Sequence, residues 1–513
     1  MTSSTSHRWW RDAVIYQIYP RSFRDSDGDG VGDLAGIVEG LDHIAALGVD
    51  ALWLSPIFTS PMADFGYDVA SYTDVDPTFG TIDDLDRLVA GAHARGIRVL
   101  LDWVPNHTSD QHPWFLASRA SRDDPRRDWY VWRDPAPDGG PPNNWIAAFK
   151  DVPAWTLDDT TGQYYLHSFL AEQPDLNWSN PAVEAAMHET LRFWLDRGVD
   201  GFRADVVHLI GKGTTVPDLP VGRESSLVPT IDVPYTHELL RRIRSVLDEY
   251  PHEPMMVGEV YLLEPGQTLR YLGDDDELHL TFDFRTLHTR WEADALREII
   301  ALVQDEFAEP HWPTWVLSNH DRPRHRSRYG SDARARAAAV LSLTVRGTPF
   351  LYAGEELGLE DAFVPDDKVV DPGGRDGCRA PIPWTAQPDR GWGDDPWLPF
   401  PPDAGARSVA AEELDPTSML HLYRRLLHLR RETPALRSGS MEVDTRDDAA
   451  PGLVSYSRST ADDAVRVVAN LGADTVAVPC DGEVLLSSDD AVAAVDGRIS
   501  LPPDVAVIIH LGT

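Results

Sequence analysis

Cysteine and lysine are the scarce residues of this 513-residue chain. The two cysteines, Cys378 and Cys480, are far apart in segments that we assign to different domains, which argues against a disulfide framework. Lysine occurs three times against 43 arginines, and acidic residues outnumber both, so that the formal net charge is −37. A phosphate backbone would be repelled by such a surface, which argues against a nucleic-acid partner and favours a neutral or cationic ligand.

Long hydrophobic runs are also absent. No run approaches 18 apolar residues, and the N-terminal stretch MTSSTSHRWWRDAVIYQIYP lacks a basic region followed by a continuous apolar one. We therefore expect a cytoplasmic protein without a membrane or nucleic-acid partner, whose oligomeric state the sequence leaves open.

The chain is longer than a single ordinary core, so we expect two or three domains. Helical patterns such as Leu34–Leu47, Ile82–Ala94 and Val183–Asp196 are each closed by a glycine and alternate with β-rich segments. There are eight such segments: Ala13–Pro20, Ala51–Pro56, Arg98–Val104, Gly201–Val207, Met255–Val260, His279–Phe284, Pro313–Asn319 and Pro349–Glu355. This alternation predicts an α/β fold, a (β/α)8 TIM barrel.

Two segments fall outside the barrel pattern. The long link from Pro105 to Asn180, rich in Trp, Pro and Asp, predicts a subdomain inserted after strand 3. Alternating strand patterns from about Ser438 predict a C-terminal antiparallel β-sandwich. We accordingly predict a catalytic barrel over residues 1–104 and 179–437, an inserted subdomain over 105–178 and a β-sandwich over 438–513. Tryptophans in the loop-like stretches suit either stacking on sugars or ordinary packing.

Three acidic residues stand at the carboxyl ends of predicted strands: Asp205 in GFRADVV, Glu259 in VGEV and Asp321 in SNHD. Any one of them alone would more often be a helix cap or a solvated loop residue. Arg203 lies two positions before Asp205, on the same face of the strand, and His320 directly precedes Asp321. Because the mouth of a barrel is formed at these strand ends, the three acids together predict a site for glycoside hydrolysis.

An acidic loop, DSDGDGVGD, follows the first strand. The carboxylates of four aspartates and the Val31 carbonyl can converge on a hard cation; the residues are Asp25, Asp27, Asp29, Val31 and Asp33. Gly36 stands where an EF-hand requires a bidentate glutamate, so the loop is not an EF-hand. We expect a structural Ca²⁺, with Mg²⁺ possible, and keep a solvated acidic turn as the alternative.

Four segments carry a resemblance to a known family: DWVPNHTSD, GFRADVV, VGEV and SNHD are similar to the signature regions of the α-amylase superfamily, glycoside hydrolase family 13. Further segments, including VIYQIYPRSF, QYYLHSF, QPDLNW and CRAPIPW, resemble its oligo-1,6-glucosidase and α-glucosidase subfamily. The resemblance implies that Asp205 is the nucleophile, Glu259 the general acid/base and Asp321 the carboxylate that holds substrate hydroxyls. We expect Arg203 to keep Asp205 ionised, and burial to raise the pKa of Glu259.

The resemblance also implies the glucose-binding residues, with Asp102 as a structural support. Asp64 and Arg379 would clamp the terminal glucose, although Arg375 in the same loop competes with Arg379. Phe149 and Phe169 would wall the pocket, unless they are plain core. The full set is Asp64, Tyr67, His107, Phe149, Phe169, Arg203, His320 and Arg379.

The function that this resemblance implies is a retaining, exo-acting α-glucosidase on short oligosaccharides. A glucosyltransferase or sucrose isomerase on the same framework is the alternative, and a non-catalytic sugar-binding barrel is disfavoured because all three acids are present. Val206, directly after Asp205, resembles the α-1,6-acting members. One residue does not decide between the α-1,4 and α-1,6 linkages, so the linkage stays open. Ala380 and Lys150 depart from the family pattern at the pocket entrance, and the unfamiliar loop Gly211–Pro229 is where we expect aglycone preference to be determined.

Overall fold

A computed structural model describes residues 8–149, 152–212, 218, 231–393, 395–444 and 452–511 of the chain. Lys150 and most of the loop Gly211–Pro229 fall outside these described residues, so the expectations about them stay predictions. Within the described part of the chain, no helix is both long enough and apolar enough to cross a membrane.

Eight parallel strands, each inside one of the predicted segments, form the central sheet. They are β1 (Ile15–Ile18), β2 (Ala51–Leu54), β3 (Arg98–Trp103), β4 (Gly201–Ala204), β5 (Met255–Gly258), β6 (Leu280–Thr281), β7 (Thr314–Val316) and β8 (Thr348–Tyr352). Their order is β6-β5-β4-β3-β2-β1-β8-β7. A side-chain bond from Thr314 Oγ1 to the Thr281 carbonyl, 2.8 Å, bridges the two terminal strands, so the sheet is a nearly closed barrel. The predicted barrel is confirmed.

Local sequence signals account for the barrel helices. Asp33, Asn180 and Ser418 accept backbone N–H groups as N-caps, and Thr81 forms a capping box with Asp84. The helices that pack outside the strands are Leu34–Leu47, Ile82–His93, Pro181–Leu195, Pro234–Leu247, Ala293–Glu306, Asp332–Thr344 and Met419–Glu432. Between β5 and β6 the 3-10 helix Thr268–Leu272 stands instead of a long helix.

The remaining helices are short. The α-helices are Trp9–Asp12, Pro113–Ala120, Arg285–His288, His325–Tyr329, Val409–Leu414 and Pro434–Ser438. The 3-10 helices are Pro20–Ser22, Arg127–Trp129, Val207–Leu209, Asp366–Lys368 and Asp376–Arg379.

The segment inserted after β3 has its own small sheet and core. Its antiparallel strands are Trp132–Arg133, Trp155–Asp158 and Gln163–Leu166, and a hairpin of Phe58–Thr59 and Ser71–Val75 precedes β3. Trp145 and Trp155 are buried in this core. They are packing residues there.

The C-terminal part has two antiparallel sheets with apolar residues between them, as predicted. The larger sheet has the strands Ser440–Val443, Leu453–Ser459, Ala464–Asn470, Glu483–Ser487 and Val505–His510, and the smaller has Val476–Pro479, Ala494–Val495 and Arg498–Leu501. Cys378 and Cys480 are both free, in agreement with the expectation of no disulfide framework.

Candidate active site

The three predicted acids meet in one pocket at the carboxyl ends of the strands. Asp205 directly follows β4, Glu259 directly follows β5, and Asp321 lies in the loop after β7. The pocket has a volume of about 290 Å³. Besides the acids, its lining contains Asp64, Tyr67, His107, Phe149, Phe169, Gln173, Val206, Tyr261, Arg322, Gly373 and Arg375. Ligand pockets usually fall near or above this volume, so it suits a small ligand.

Arg203 joins the first two acids. Its Nη1 is 2.7 Å from Asp205 Oδ1, and its Nη2 is 2.5 Å from Glu259 Oε2. The same Nη1 is 2.8 Å from Asp102 Oδ1, because Asp102 and Arg203 are direct partners in the β3–β4 ladder. Two carboxyl groups on one guanidinium lie close together. This favours the shorter carboxyl separation of retaining glycosidases, about 5–5.5 Å, over the about 6.5–9.5 Å of inverting ones.

The pKa of Asp205 corrects one expectation. Burial raises it well above its usual range, Arg203 lowers it, and the charges of Glu259 and Asp102 and a hydrogen bond with Glu259 raise it further. Arg203 therefore does not by itself keep Asp205 ionised, because burial and two neighbouring carboxylates outweigh one guanidinium. The buried Asp205 carboxyl therefore resists being ionised while the neighbouring carboxylates carry their charges. One proton on the pair of Asp205 and Glu259 is the state from which a retaining glycosidase starts.

Asp321 has a different environment. Burial would raise its pKa, but the neighbouring Arg375 and Arg379 guanidinium groups hold it well below its usual range. Arg375 Nη1 and Arg379 Nη2 lie 3.0 and 3.2 Å from Asp321 Oδ1. This carboxylate therefore stays ionised at neutral pH.

His320 is held by neighbours on both ring nitrogens. Gln17 Nε2 is 2.7 Å from its Nδ1, and Tyr67 Oη is 2.5 Å from its Nε2. Burial lowers its pKa to about 3, so the imidazole is neutral. Because the Gln17 amide donates to Nδ1, the ring proton is on Nε2 and points to Tyr67, whose hydroxyl donates to Asp102 Oδ2 at 3.2 Å.

At the Asp64 end of the pocket, the arginine next to Asp64 is Arg375 and not the expected Arg379. Arg375 Nη2 lies 2.6 Å from Asp64 Oδ1, and the Arg375 guanidinium lies over the Phe149 ring at 5.4 Å. Arg379 is fully buried behind the pocket, where it donates to the His320 carbonyl at 2.8 Å and bonds Asp371. Arg379 was expected to clamp the terminal glucose with Asp64, but its competitor Arg375 lies next to Asp64 in the lining, because Arg375 precedes and Arg379 ends a 3-10 turn that directs them to different places.

The two phenylalanines of the inserted segment wall this end of the pocket. Their ring centroids are 5.6 Å apart, and the Phe169 ring is 5.3 Å from that of His107. Both side chains are only half-buried. The alternative that they are plain core is therefore disfavoured.

Sequence reasoning missed several residues of the pocket. Gln173 Nε2 is 3.1 Å from Asp64 Oδ2, although QPDLNW was noted only as a family segment. Tyr261 and Arg322 lie beside the acids, two residues after Glu259 and one after Asp321, and that spacing was the available signal. The tryptophans of the loop-like stretches, all in the described part of the chain, do not line the pocket: Trp9, Trp10, Trp129, Trp132, Trp145 and Trp155.

Val206 has an unusual backbone. Its φ is +36°, in the left-handed region that β-branched residues avoid, and its N–H points to Glu259 Oε2 at 3.4 Å. This turn directly follows Asp205. Because the left-handed backbone at Val206 cannot continue the strand, β4 ends here, and the Asp205 carboxyl lies in the pocket.

The acidic loop brings three of its predicted ligands together. Carboxylate oxygens of Asp25, Asp27 and Asp29 all lie within 4.8 Å of one another. Asp33 is outside this group, since its oxygens accept from Gly36 N at 2.6 Å and from Ser26 N at 3.0 Å. Three hard oxygen donors fit Ca²⁺ or Mg²⁺ chemistry, whereas the structure does not support Asp33 as the fourth.

A (β/α)8 barrel with two carboxyl groups on one arginine and a third carboxylate beside them defines a class of protein, the barrel glycoside hydrolases. The chain belongs to the alpha-amylase family: the model of the alpha amylase catalytic domain matches residues 17–439. A domain of unknown function (DUF3459) matches residues 442–508.

Curated relatives and solved structures agree with this family. A probable alpha-glucosidase of Rhizobium meliloti (strain 1021) is 46% identical over 477 residues, which cover 85% of each chain. An oligo-1,6-glucosidase of Parageobacillus thermoglucosidasius is 37% identical over 520 residues, 91% of each chain. Among solved structures, an alpha-glucosyl transfer enzyme, XgtA, has a TM-score of 0.90 at 40% identity and covers 98% of this chain and 99% of its own. The isomaltulose synthase SmuA from Protaminobacter rubrum has a TM-score of 0.91 at 32% identity, covering 99% and 100%.

Proposed function

We propose that this protein is a retaining, exo-acting α-glucosidase that removes terminal α-linked glucose from short oligosaccharides. The observation that carries the proposal is a single pocket in which Asp205 and Glu259 share one arginine while Asp64 and Arg375 form an ion pair. Relatives named as alpha-glucosidase and oligo-1,6-glucosidase support the same substrate class.

In the first half of the reaction, the Asp205 carboxylate attacks the anomeric carbon while the Glu259 carboxyl gives its proton to the leaving glycosidic oxygen. The bond to the leaving sugar breaks as the bond to Asp205 forms. Arg203 contacts both groups and stabilises the pair while the proton and the negative charge change places. Asp321, held ionised by two arginines, is placed to bind sugar hydroxyls next to the anomeric carbon.

In the second half, water attacks the anomeric carbon and Glu259 accepts its proton, so that Asp205 leaves and glucose departs with its α configuration retained. A sugar hydroxyl in place of water would give a new glycoside. A transglucosylase or a sucrose isomerase is therefore the second candidate, favoured by the similarity to an alpha-glucosyl transfer enzyme and an isomaltulose synthase.

Exo action is proposed from the Asp64 end of the pocket. Asp64 is buried, bonded by both Arg375 and Gln173, and Phe149 and Phe169 stand beside this cluster. Such fixed donors and acceptors suit the hydroxyls of a chain-terminal sugar. A chain continuing past that point would have to displace a buried ion pair.

We further propose that the acidic loop binds a structural Ca²⁺, with Mg²⁺ as the alternative, through Asp25, Asp27 and Asp29 and the Val31 carbonyl. A bound ion would neutralise the negative charge of the loop between β1 and the helix Leu34–Leu47. The proposed cytoplasmic location and domain bounds rest on the sequence alone.

Proton NMR of products tests the activity. We expect purified protein to release α-glucose first from at least one of maltose, isomaltose, sucrose and trehalose, supplied separately, and the preferred sugar identifies the linkage. Asp205→Asn should abolish turnover. Release of β-glucose first, or wild-type rates in Asp205→Asn, would overturn the retaining assignment, whereas a majority of new disaccharides would move it to a transferase or isomerase.

A blocked substrate tests exo action. A 4-nitrophenyl maltoside whose terminal sugar carries a 4,6-O-ethylidene group should resist hydrolysis, while the unblocked maltoside is cleaved. Cleavage of the blocked maltoside within its chain at a comparable rate would show endo action.

A further inference from the structure

Arg322 is the one charged residue of the pocket lining that the proposed reaction does not use. It directly follows Asp321 in the chain, contacts Tyr261 of the same lining and is half-buried. Arg203 and Arg375 each contact three carboxylates. Among the residues that the structure describes, no carboxylate oxygen lies within 4.0 Å of the Arg322 guanidinium.

The orientation of this guanidinium is nevertheless defined. Arg322 Nη2 donates to Tyr261 Oη, and the guanidinium lies over the Tyr261 ring at 5.6 Å. Tyr261 Oη lies 2.8 Å from His288 Nε2. Because the tyrosine hydroxyl accepts from Arg322, its own proton goes to His288.

The histidine fits this direction of donation. Burial and the charges of Arg322 and Arg328 lower the pKa of His288, so it is neutral and accepts at Nε2. Tyr261 also packs on Phe284, with centroids 5.6 Å apart. In this arrangement Arg322 Nη2 is bonded to Tyr261 Oη, and among the described residues no carboxylate pairs with the other N–H donors of the guanidinium.

Arg322 and its partner Tyr261 come from other strand ends than the glucose clamp. The Asp64–Arg375 pair is contributed by the loops after β2 and β8, whereas Tyr261 and Arg322 follow β5 and β7 next to Glu259, which protonates the leaving oxygen. An ionised carboxylate or phosphate is the partner that a guanidinium binds most strongly. Repulsion from the ionised carboxylates of the lining would oppose an anion there unless a cation received it.

We propose that Arg322, oriented by Tyr261 and His288, forms an anion subsite on the leaving-group side of the pocket and selects α-glucosides whose aglycone carries a carboxylate or phosphate. This inference rests on the proposed glucosidase activity and adds the chemical class of the aglycone. The inference concerns the aglycone only and leaves the proposed binding of the terminal glucose unchanged.

The test compares aglycones that differ in charge and little in shape. The substrates are 4-carboxyphenyl α-glucoside and its neutral isostere, 4-carbamoylphenyl α-glucoside, and a 4-phosphonophenyl α-glucoside distinguishes phosphate-like from carboxylate anions. The readout is the ratio of kcat/KM for the charged to the neutral substrate. Intrinsic leaving-group differences cancel when this ratio is compared between variants.

We expect Arg322→Gln to lower this ratio about 10-fold, the size expected for one charge-assisted hydrogen bond in a part-exposed site. Arg322→Lys, which keeps the charge, should restore part of the preference. Arg326→Gln is the matched control, because Arg326 pairs with Glu360 at 2.8 Å and is not in the lining; its ratio should equal that of the wild type. The wild-type preference should also shrink in 0.5 M NaCl, where charge is screened.

The outcomes separate the two proposals. An equal ratio in wild type and Arg322→Gln, with all substrates hydrolysed, overturns the anion subsite and leaves the glucosidase activity standing. No hydrolysis of any of the three glucosides by the wild type overturns the glucosidase proposal itself. Thermal unfolding of each variant shows that it is folded.

Discussion

At the scale of single residues, the placement of charged groups explains how the site works. Arg203 contacts three carboxylates at once, so it holds Asp205 and Glu259 on one guanidinium, and Asp102 fixes its position. Asp102 is not itself in the pocket lining; it accepts from the lining residue Tyr67 and from Trp53 Nε1, each at 3.2 Å. It is a positioning residue, as the sequence suggested.

The distinction between Arg375 and Arg379 leads to a double-mutant prediction. We expect Asp64→Asn and Arg375→Gln to show a coupling energy of about 1–3 kcal/mol in kcat/KM, because the two side chains are in direct, buried contact. The same cycle with Arg379→Gln is the control and should give less than half of that coupling. Equal coupling in both cycles would contradict the assignment of Arg375 as the partner of Asp64.

At the scale of secondary-structure elements, the carboxyl ends of the strands hold more than the catalytic acids. Glu355 lies just beyond β8, where it is buried and bonded by Tyr352 N at 3.2 Å and by Tyr423 Oη at 3.4 Å. Burial raises its pKa to about 8. Glu355, buried at the end of β8, is therefore protonated at neutral pH.

This glutamate predicts a dependence of stability on pH. An unfolded glutamate has a pKa of about 4.3. Between that value and about 8, the folded state binds the proton and the unfolded state does not. The contribution of Glu355 to stability is therefore complete below the lower value and is lost as the pH rises through 8.

We expect Glu355→Gln, which stays neutral, to gain stability relative to wild type as the pH is raised from 6 to 9. Thermal unfolding at several pH values measures the difference in Tm, which should move in favour of the variant by at least about 2 °C. A difference in Tm that does not change over this range would show that Glu355 is ionised in the folded protein.

The acidic loop is a second element with a testable consequence. We expect Ca²⁺ to raise the Tm of the wild type and a chelator to lower it, because a cation offsets the repulsion among Asp25, Asp27 and Asp29. Asp27→Asn should reduce the response. Asp83→Asn, which changes an exposed acid on the neighbouring helix, is the control and should respond as the wild type does.

If Ca²⁺ and Mg²⁺ both leave the wild-type Tm unchanged, the loop is a solvated acidic turn. The turn itself is well supplied with internal bonds, since Asp25 accepts from Gly28 N at 2.7 Å and from Gly30 N at 2.9 Å. Gly30 also packs closely on the loop after β8, where an added Cβ would lie 2.2 Å from the Asp395 carbonyl oxygen.

At the scale of the whole molecule, the barrel and the C-terminal sheets share buried surface. The helix Asp332–Thr344 is buried nearly all round and lies next to the strand Val505–His510. Arg458, on a C-terminal strand, is fully buried and donates to the Thr344 carbonyl at 2.8 Å and the Gly439 carbonyl at 2.9 Å. The two parts are therefore expected to unfold together.

Arg458→Met tests this cooperation. Two buried carbonyl groups would lose their donor, which costs about 2–4 kcal/mol and lowers Tm by several degrees while a single transition is kept. Differential scanning calorimetry gives both quantities. Two separate transitions in the wild type would show that the C-terminal sheets unfold independently of the barrel.

Much of this molecule follows from local sequence. The eight strands were found because strands buried on both faces are short apolar runs, and their helices because caps such as Asp33 and the glycine at 48 are local signals. The placement of the three proposed catalytic acids followed from the same reasoning. Each stands directly at or shortly after a strand end, and the family segments contain them.

Only the tertiary structure decided the partners of these residues. Arg375 and Arg379 are four positions apart in one loop, and the packing of that loop on β7 and β8, not their spacing, places one in the pocket and the other behind it. The same holds for the raised pKa of Asp205, which depends on burial and on the carboxyl groups of Asp102 and Glu259. It also holds for Arg322, whose partner Tyr261 comes from a different strand end. Sequence determines which side chains a segment can present, whereas the distances and desolvation that set their chemistry arise only when distant segments pack together.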